Sequence, residues 1–142
     1  MHVVGEVSPV EAWALLESDP KAQLVDVRTT AEWTFVGVPD LSTIGRQTLM
    51  IEWSQYPSMA RNGEFETQVA SQLKAQGVGA DTPIVFICRS GARSLSAAKA
   101  MSAKGYRSCF NLAGGFEGDL DGERHRGQSG GWKRAGLPWM QT

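Results

Sequence analysis

The sequence predicts an α/β fold: a parallel sheet with helices packed on both faces. Three observations carry this. Short apolar runs alternate along the chain with segments of helical period. The run "PIVFIC" at 83–88 is apolar at successive positions, as in a strand buried on both faces. Pro83 opens that strand instead of interrupting it, where its missing N–H is tolerated.

The elements follow in order. "SPVE" at 8–11 starts a helix, with Ser8 to cap it, Pro9 at its first position and Glu11 to complete a capping box. Trp13, Leu15 and Leu16 form its inward side, and "SDP" at 18–20 ends it. "QLVDV" at 23–27 is a strand, Arg28–Thr30 a polar turn, and "AEW" at 31–33 a brief helical turn. Residues 37–46 and 56–63 read as loops, with a strand in "QTLMIEW" at 47–53 between them. "EFETQVASQLKAQG" at 64–77 spaces Phe65, Val69 and Leu73 by four, the period of an amphipathic helix, and Gly77 stops it. A helix over 93–105 follows "PIVFIC", with Leu95, Ala98 and Met101 on one side and Gly105 as its stop. "RSCFNL" at 107–112 is a further strand. The Gly-rich, charged tail from Gly114 carries Phe116, Trp132 and Trp139 as anchors, so it reads as an ordered excursion.

Composition narrows the function. The 142 residues suit one domain, 1–142, without internal repeats. Fourteen basic and fifteen acidic residues nearly cancel, so no global basic field attracts nucleic acid. No apolar run has the length of a membrane helix, and "MHVVGEVSPVEAW" has no signal-peptide pattern, so a cytoplasmic location is expected. The two cysteines are expected as free thiols, and with His2 and His125 they show no metal-ligand spacing.

The chemistry concentrates at "CRSGARS", 88–94. In parallel sheets, sites form beyond the carboxyl ends of strands, and Cys88 ends one. The helix that follows turns its free N–H groups and positive dipole end towards the sulfur. With Arg89 and Arg93 this favours a thiolate nucleophile, and Gly91 lets the loop form an anion-binding nest. The expected ligand is a small anion or an anionic sulfur species. For Cys109, mid-strand, the expected role is a buried small hydrophobe. His125 is the one candidate base for Cys88, but on the charged tail a solvated histidine is the ordinary reading.

These stretches resemble the rhodanese-like sulfurtransferases. "CRSGARS" is similar to the family's active-site loop. "VSPVEAWALL" (7–16), "LVDVRTTAEW" (24–33), "YRSCFNLAGG" (106–115) and "GWKRAGLPW" (131–139) resemble, in order, its first helix, its Asp-x-Arg…Glu-aromatic motif, its last strand with a double glycine, and its closing segment. The resemblance implies a parallel sheet of about five strands. It also implies that Cys88 takes the outer sulfur of a donor such as thiosulfate and passes it, as a persulfide, to cyanide or a thiol. A protein sulfur acceptor is compatible with this, and no metal or organic cofactor is required. Arg89, Ser90, Gly91, Ala92, Arg93 and Ser94 would bind the substrate, the arginines on its anionic oxygens. Ser94 would cap the helix or donate to the anion.

Two departures stand out. "GVPDL" at 37–41 lacks the family's histidine and is one residue short before the proline, which implies a local loop change. An extra loop of about 116–131 precedes the closing helix, and its Arg124, His125 and Arg126 would border the site if it is functional, or be solvated if it is not. Asp26 and Arg28 could also border the site, although pairing with each other or with Glu32 is the favoured reading. The rival enzyme is a Cys-dependent phosphatase or arsenate reductase. Its cradle has the arginine at the sixth place after cysteine, where this chain has Ser94, with Arg93 one short. The rival from another class is a non-catalytic rhodanese-like binding or regulatory module; such modules commonly lack the cysteine.

Overall fold

The computed structural model describes residues 4–55, 58–118 and 130–141. The chain runs β1 (Gly5–Val7), α1 (Pro9–Ser18), β2 (Gln23–Asp26), α2 (Thr30–Val36), β3 (Val38–Pro39) and a 3-10 turn at Ser42–Ile44. It continues with β4 (Leu49–Met50), β5 (Ser54–Gln55), β6 (Ala60–Arg61), α3 (Phe65–Ala75) and β7 (Ile84–Ile87). The last elements are α4 (Ala92–Ala103), β8 (Cys109–Leu112), α5 (Gly131–Arg134) and β9 (Trp139–Met140).

Local chemistry sets the helix starts. Ser8 Oγ accepts from the Glu11 N–H while the Glu11 carboxylate accepts from the Ser8 N–H, the reciprocal capping box expected at α1. Thr29 and Glu32 form a second box that starts α2, so "AEW" belongs to a helix of seven residues and not a single turn.

Five strands form a parallel sheet in the order β1-β8-β7-β2-β4. Successive residues on a strand point to opposite faces, and two apolar clusters result. On one face Val25, Ile84 and Phe86 meet Phe65, Val69 and Leu73 of α3 and Ala97, Ala98 and Met101 of α4. On the other, Leu24, Val85, Ile87 and Leu112 meet Ala12 and Leu16 of α1, with Phe116 and Trp132. The α/β architecture with helices on both faces is therefore the observed one.

Several local expectations change. β1 was not foreseen: it is three residues long and lies at the sheet edge against β8. The expected loop at 37–46 contains β3, which pairs antiparallel with β9, and the expected loop at 56–63 contains β6, which pairs with β5. Leu95 is 37% exposed, because the stripe of α4 facing the sheet is Ser94, Ala97, Ala98, Met101 and Ser102, one position round the helix from it. Trp139 is 41% exposed: its ring meets Lys133 Nζ at 3.9 Å, the Phe116 ring in an edge contact and the backbone of Gly37, and is otherwise open to solvent. Phe116 and Trp132 are fully buried, as anchors should be.

Candidate active site

Cys88 follows β7 and projects, like Phe86, to the face covered by α3 and α4. It is 1% exposed, at the floor of the turn from β7 into α4. Gly91 is the N-cap of α4 and holds φ +123°, a conformation that L side chains rarely adopt. That conformation turns its N–H back onto Cys88 Sγ at 3.1 Å. Ser94 Oγ lies 3.2 Å from the same sulfur. Two donors therefore converge where negative charge on sulfur would reside.

Ser94 does not cap α4. Its hydroxyl sits inside the first turn, fully buried, 2.5 Å from Asn111 Oδ1. Asn111 in turn donates through Nδ2 to the Gly91 carbonyl at 3.2 Å. A hydroxyl has one proton to give. Held among the sulfur, the amide oxygen and the Gly91 carbonyl at 3.3 Å, it serves whichever is the most negative. Asn111 was missed in the sequence, although a polar amide inside the buried run "CFNL" was the signal.

The chain after β8 clamps the loop from below. Phe116 N–H donates to the Cys88 carbonyl at 2.7 Å, and Glu117 N–H to the Arg89 carbonyl at 2.9 Å. Gly115, at φ +61°, lies so close that a Cβ there would sit 2.5 Å from the Cys88 oxygen. The double glycine is thus a matter of clearance under the loop.

The two arginines differ. Arg89 is exposed, and its guanidinium makes no hydrogen bond or ion pair among the described residues. Arg93 is held by Glu32 of α2 in a two-pronged pair, Nη1 to Oε1 at 2.7 Å and Nη2 to Oε2 at 2.9 Å. Burial alone would raise the Glu32 pKa; the hydrogen bonds and charge of Arg93, with the Thr29 donors, outweigh it and hold the carboxyl below its ordinary value. The Glu32 hydrogen bond raises the Arg93 pKa in return, against its partial burial.

Asp26 and Arg28 pair with each other at 2.7 Å, both fully buried. Arg28 also donates to the Gly37 carbonyl and stacks 4.2 Å over the Phe116 ring. Ser90 and Ala92 complete the turn, Ala92 as the first residue of α4. Arg124, His125 and Arg126 lie outside the described residues, as does 119–129 of the expected extra loop. Cys109 is buried away from the turn, and burial pushes its thiol up to about 11. A cleft of about 460 Å³ opens beside the loop, between Ala31, Glu32, Phe35 and Val36 of α2, Met59, and the two arginines. Among the described residues, no helix is long and apolar enough to cross a membrane.

Comparison with known proteins agrees with this geometry. Residues 4–142 match the family model described as the STR4 middle domain. The crystal structure of Rv0390 from M. tuberculosis superposes with a TM-score of 0.88 at 42% identity, covering 98% of each chain. An uncharacterized protein of Rickettsia prowazekii is 35% identical over 97% of this chain and 98% of its own length. The thiosulfate sulfurtransferase GlpE of Actinobacillus succinogenes is 26% identical over 96% of this chain and 90% of its own. With a cysteine at the floor of a strand-to-helix turn, a parallel five-stranded sheet and these relatives, the chain belongs to the STR4 middle-domain family of rhodanese-like proteins.

Proposed function

We propose that this protein is a sulfurtransferase that carries sulfur as a persulfide on Cys88. The Cys88 thiolate attacks the outer sulfur of a donor such as thiosulfate. The S–S bond of the donor breaks, sulfite leaves with the electron pair, and Cys88–S–S⁻ remains. A thiol or cyanide then takes the terminal sulfur and regenerates the thiolate.

The observation that carries this reading is the convergence of the Gly91 N–H and the Ser94 hydroxyl on Cys88 Sγ, with no carboxylate among the described residues hydrogen-bonded to the sulfur. Such an arrangement stabilises a sulfur anion and needs no base to take a proton, because the thiolate itself is the nucleophile. Arg89 stands free at the mouth to meet the donor's oxygens. The relation to a protein named as a thiosulfate sulfurtransferase supports the same chemistry. The proposal includes a cytoplasmic setting, where both thiols stay reduced.

The test is mass spectrometry after incubation with thiosulfate, beside Cys88→Ser and Cys109→Ser. Wild type and Cys109→Ser should gain one sulfur atom, and Cys88→Ser none. A gain that persists in Cys88→Ser, or none in wild type, overturns the proposal. An aryl phosphate assayed in parallel should not be hydrolysed; turnover of it would instead favour the phosphatase chemistry.

A further inference from the structure

Asn111 is buried inside β8 and meets the Cys88 turn with both ends of its amide. A carbonyl oxygen only accepts, so the end 3.2 Å from the Gly91 carbonyl is Nδ2. That fixes the other end as Oδ1, 2.5 Å from the Ser94 hydroxyl. Oδ1 also only accepts, so Ser94 is the donor there. Among the described residues, that hydroxyl is the one hydrogen-bond partner of Oδ1.

The Ser94 proton is therefore contested. While it lies on Oδ1, Ser94 Oγ turns only lone pairs to the sulfur 3.2 Å away, which suits a protonated thiol. A thiolate needs the proton instead. When Ser94 gives it to Sγ, the Asn111 oxygen is left buried without a donor and bears the cost of its lost hydration. The Gly91 carbonyl, 3.3 Å from Ser94 Oγ, suffers no such loss, because Asn111 Nδ2 still serves it.

We infer that Asn111 is a positioning residue that opposes ionisation of Cys88 through Ser94, by holding the hydroxyl proton off the sulfur. Ionisation sends the thiol proton to solvent and turns the Ser94 proton from Oδ1 to Sγ. The two ends of one side chain thus act in opposite senses. Nδ2 braces the turn whose Gly91 N–H lies 3.1 Å from the sulfur and favours its charge. Oδ1 penalises that charge. The inference deepens the sulfurtransferase reading and rests on it for the thiolate as the working form. Restraint of the thiolate also limits oxidation, which follows thiolate character.

The charged groups about the turn, among the described residues, are Arg89 within it, Arg93 with its partner Glu32, Asp26 with its partner Arg28, and Glu117 beneath it. Cys109 and Tyr106 belong to the apolar cluster on the same face, to which α3 adds Phe65, Val69 and Leu73. Arg124, His125 and Arg126 lie outside the described residues. All of these stay unchanged in the variants compared, so their fields are common to every measurement.

The experiment follows alkylation of Cys88 by iodoacetamide against pH, read by mass spectrometry so that Cys109 is counted apart. Wild type, Ser94→Ala, Asn111→Leu and the double variant are compared. Ser94→Ala should raise the pH midpoint by about one unit, the scale of one hydrogen bond to a charged sulfur. Asn111→Leu also removes the Nδ2 brace, which by itself would raise the midpoint. It should nonetheless lower it by about half a unit, roughly threefold more thiolate below the midpoint. In the Ser94→Ala background the same substitution should not lower it, because no hydroxyl proton is left to release. Asn111→Val, suited to a strand, gives the same reading if the leucine variant does not fold. A midpoint that stays or rises in the apolar variants, or falls equally with and without Ser94, overturns the inference alone. Failure of wild type to gain sulfur from thiosulfate overturns the sulfurtransferase reading, while the midpoints still decide where the Ser94 proton lies.

Discussion

Replacing Gly115 by alanine should dismantle the cradle from beneath without changing any amino acid of the Cys88 loop. The new Cβ would stand 2.5 Å from the Cys88 oxygen and 2.7 Å from the carbonyl carbon and oxygen of Arg89. Backbone atoms cannot rotate away as a side chain does. The Cys88–Arg89 and Arg89–Ser90 peptides must therefore retreat by roughly 0.7–0.9 Å to reach ordinary contact distance. Overpacking of this kind costs about 1–3 kcal/mol, and an L residue at φ +61° adds about 1 kcal/mol. The sum, about 2–4 kcal/mol, corresponds to a loss of roughly 6–14 °C in Tm for a chain of this size. The same shift moves the sulfur relative to the Gly91 N–H and the Ser94 hydroxyl, and misplacement of about 1 Å costs about a hundredfold in rate.

The control is Gly114→Ala. It has the same handedness, φ +77°, but its Cβ would press on the Gly131 nitrogen at 2.9 Å, at the start of α5 and away from the sulfur. Thermal unfolding and sulfur loading per folded molecule, measured on both variants, separate the two effects. Both should lose stability, and Gly115→Ala alone should lose loading. Equal loading in the two, or wild-type loading in Gly115→Ala, refutes the idea that the clearance under the loop serves the cradle.

Three further outcomes are expected. Ser94→Ala removes the hydroxyl from Cys88 Sγ and leaves Asn111 Oδ1 buried without that donor, so Tm should fall by the equivalent of about 1–3 kcal/mol and loading by about tenfold. The Glu32 pKa is depressed in the folded chain, so its share of stability is present above the unfolded value of 4.5 and is lost as pH falls through the lower folded value. A Tm–pH profile should therefore drop below pH 4.5, and Glu32→Gln should flatten that limb. Cys109 shows the opposite sign. Its thiol is raised from 9.0 to about 11, so the folded chain keeps a proton that the unfolded chain loses between those values. Stability should decline from pH 9.0 to about 11, and Cys109→Ala should remove that part of the decline.

The inner strands and their helices were legible because periodicity and β-branching report burial directly. Phe65, Val69 and Leu73 are spaced for one face of α3, and all three are fully buried. What escaped depends on contacts between distant segments. β1 has no pattern of its own and exists because β8 offers it an edge. Leu95 looks inward by hydrophobicity, but α4 turns its small residues to the sheet so that Ser94 can reach the sulfur. The site divides in the same way. Cys88 and its turn were visible as a motif. The partnership of Arg93 with Glu32, the hold of Asn111 on the turn and the place of Met59 in the cleft join residues far apart in sequence, and spacing does not encode them.

The pairing of β1 with β8 also bears on how the chain is made. Gly5 lies opposite Phe110 and Val7 opposite Leu112, so the first strand finds its partner only after about 100 more residues have been synthesised, roughly 5–20 s later. Until then it has no place in the sheet, and the outer edge of β7 stays bare, a template for the wrong partner. In this sheet the pair that can form first is β2 with β4; β7 then joins β2 and brings Asp26 opposite Ile87, next to Cys88. A chain released before Asn111 therefore has Cys88 without Asn111 or the clamp under its turn. The bare edge of β7 would leave such a product open to mispairing and proteolysis, so β8 completes the sheet and the surroundings of Cys88 in one step.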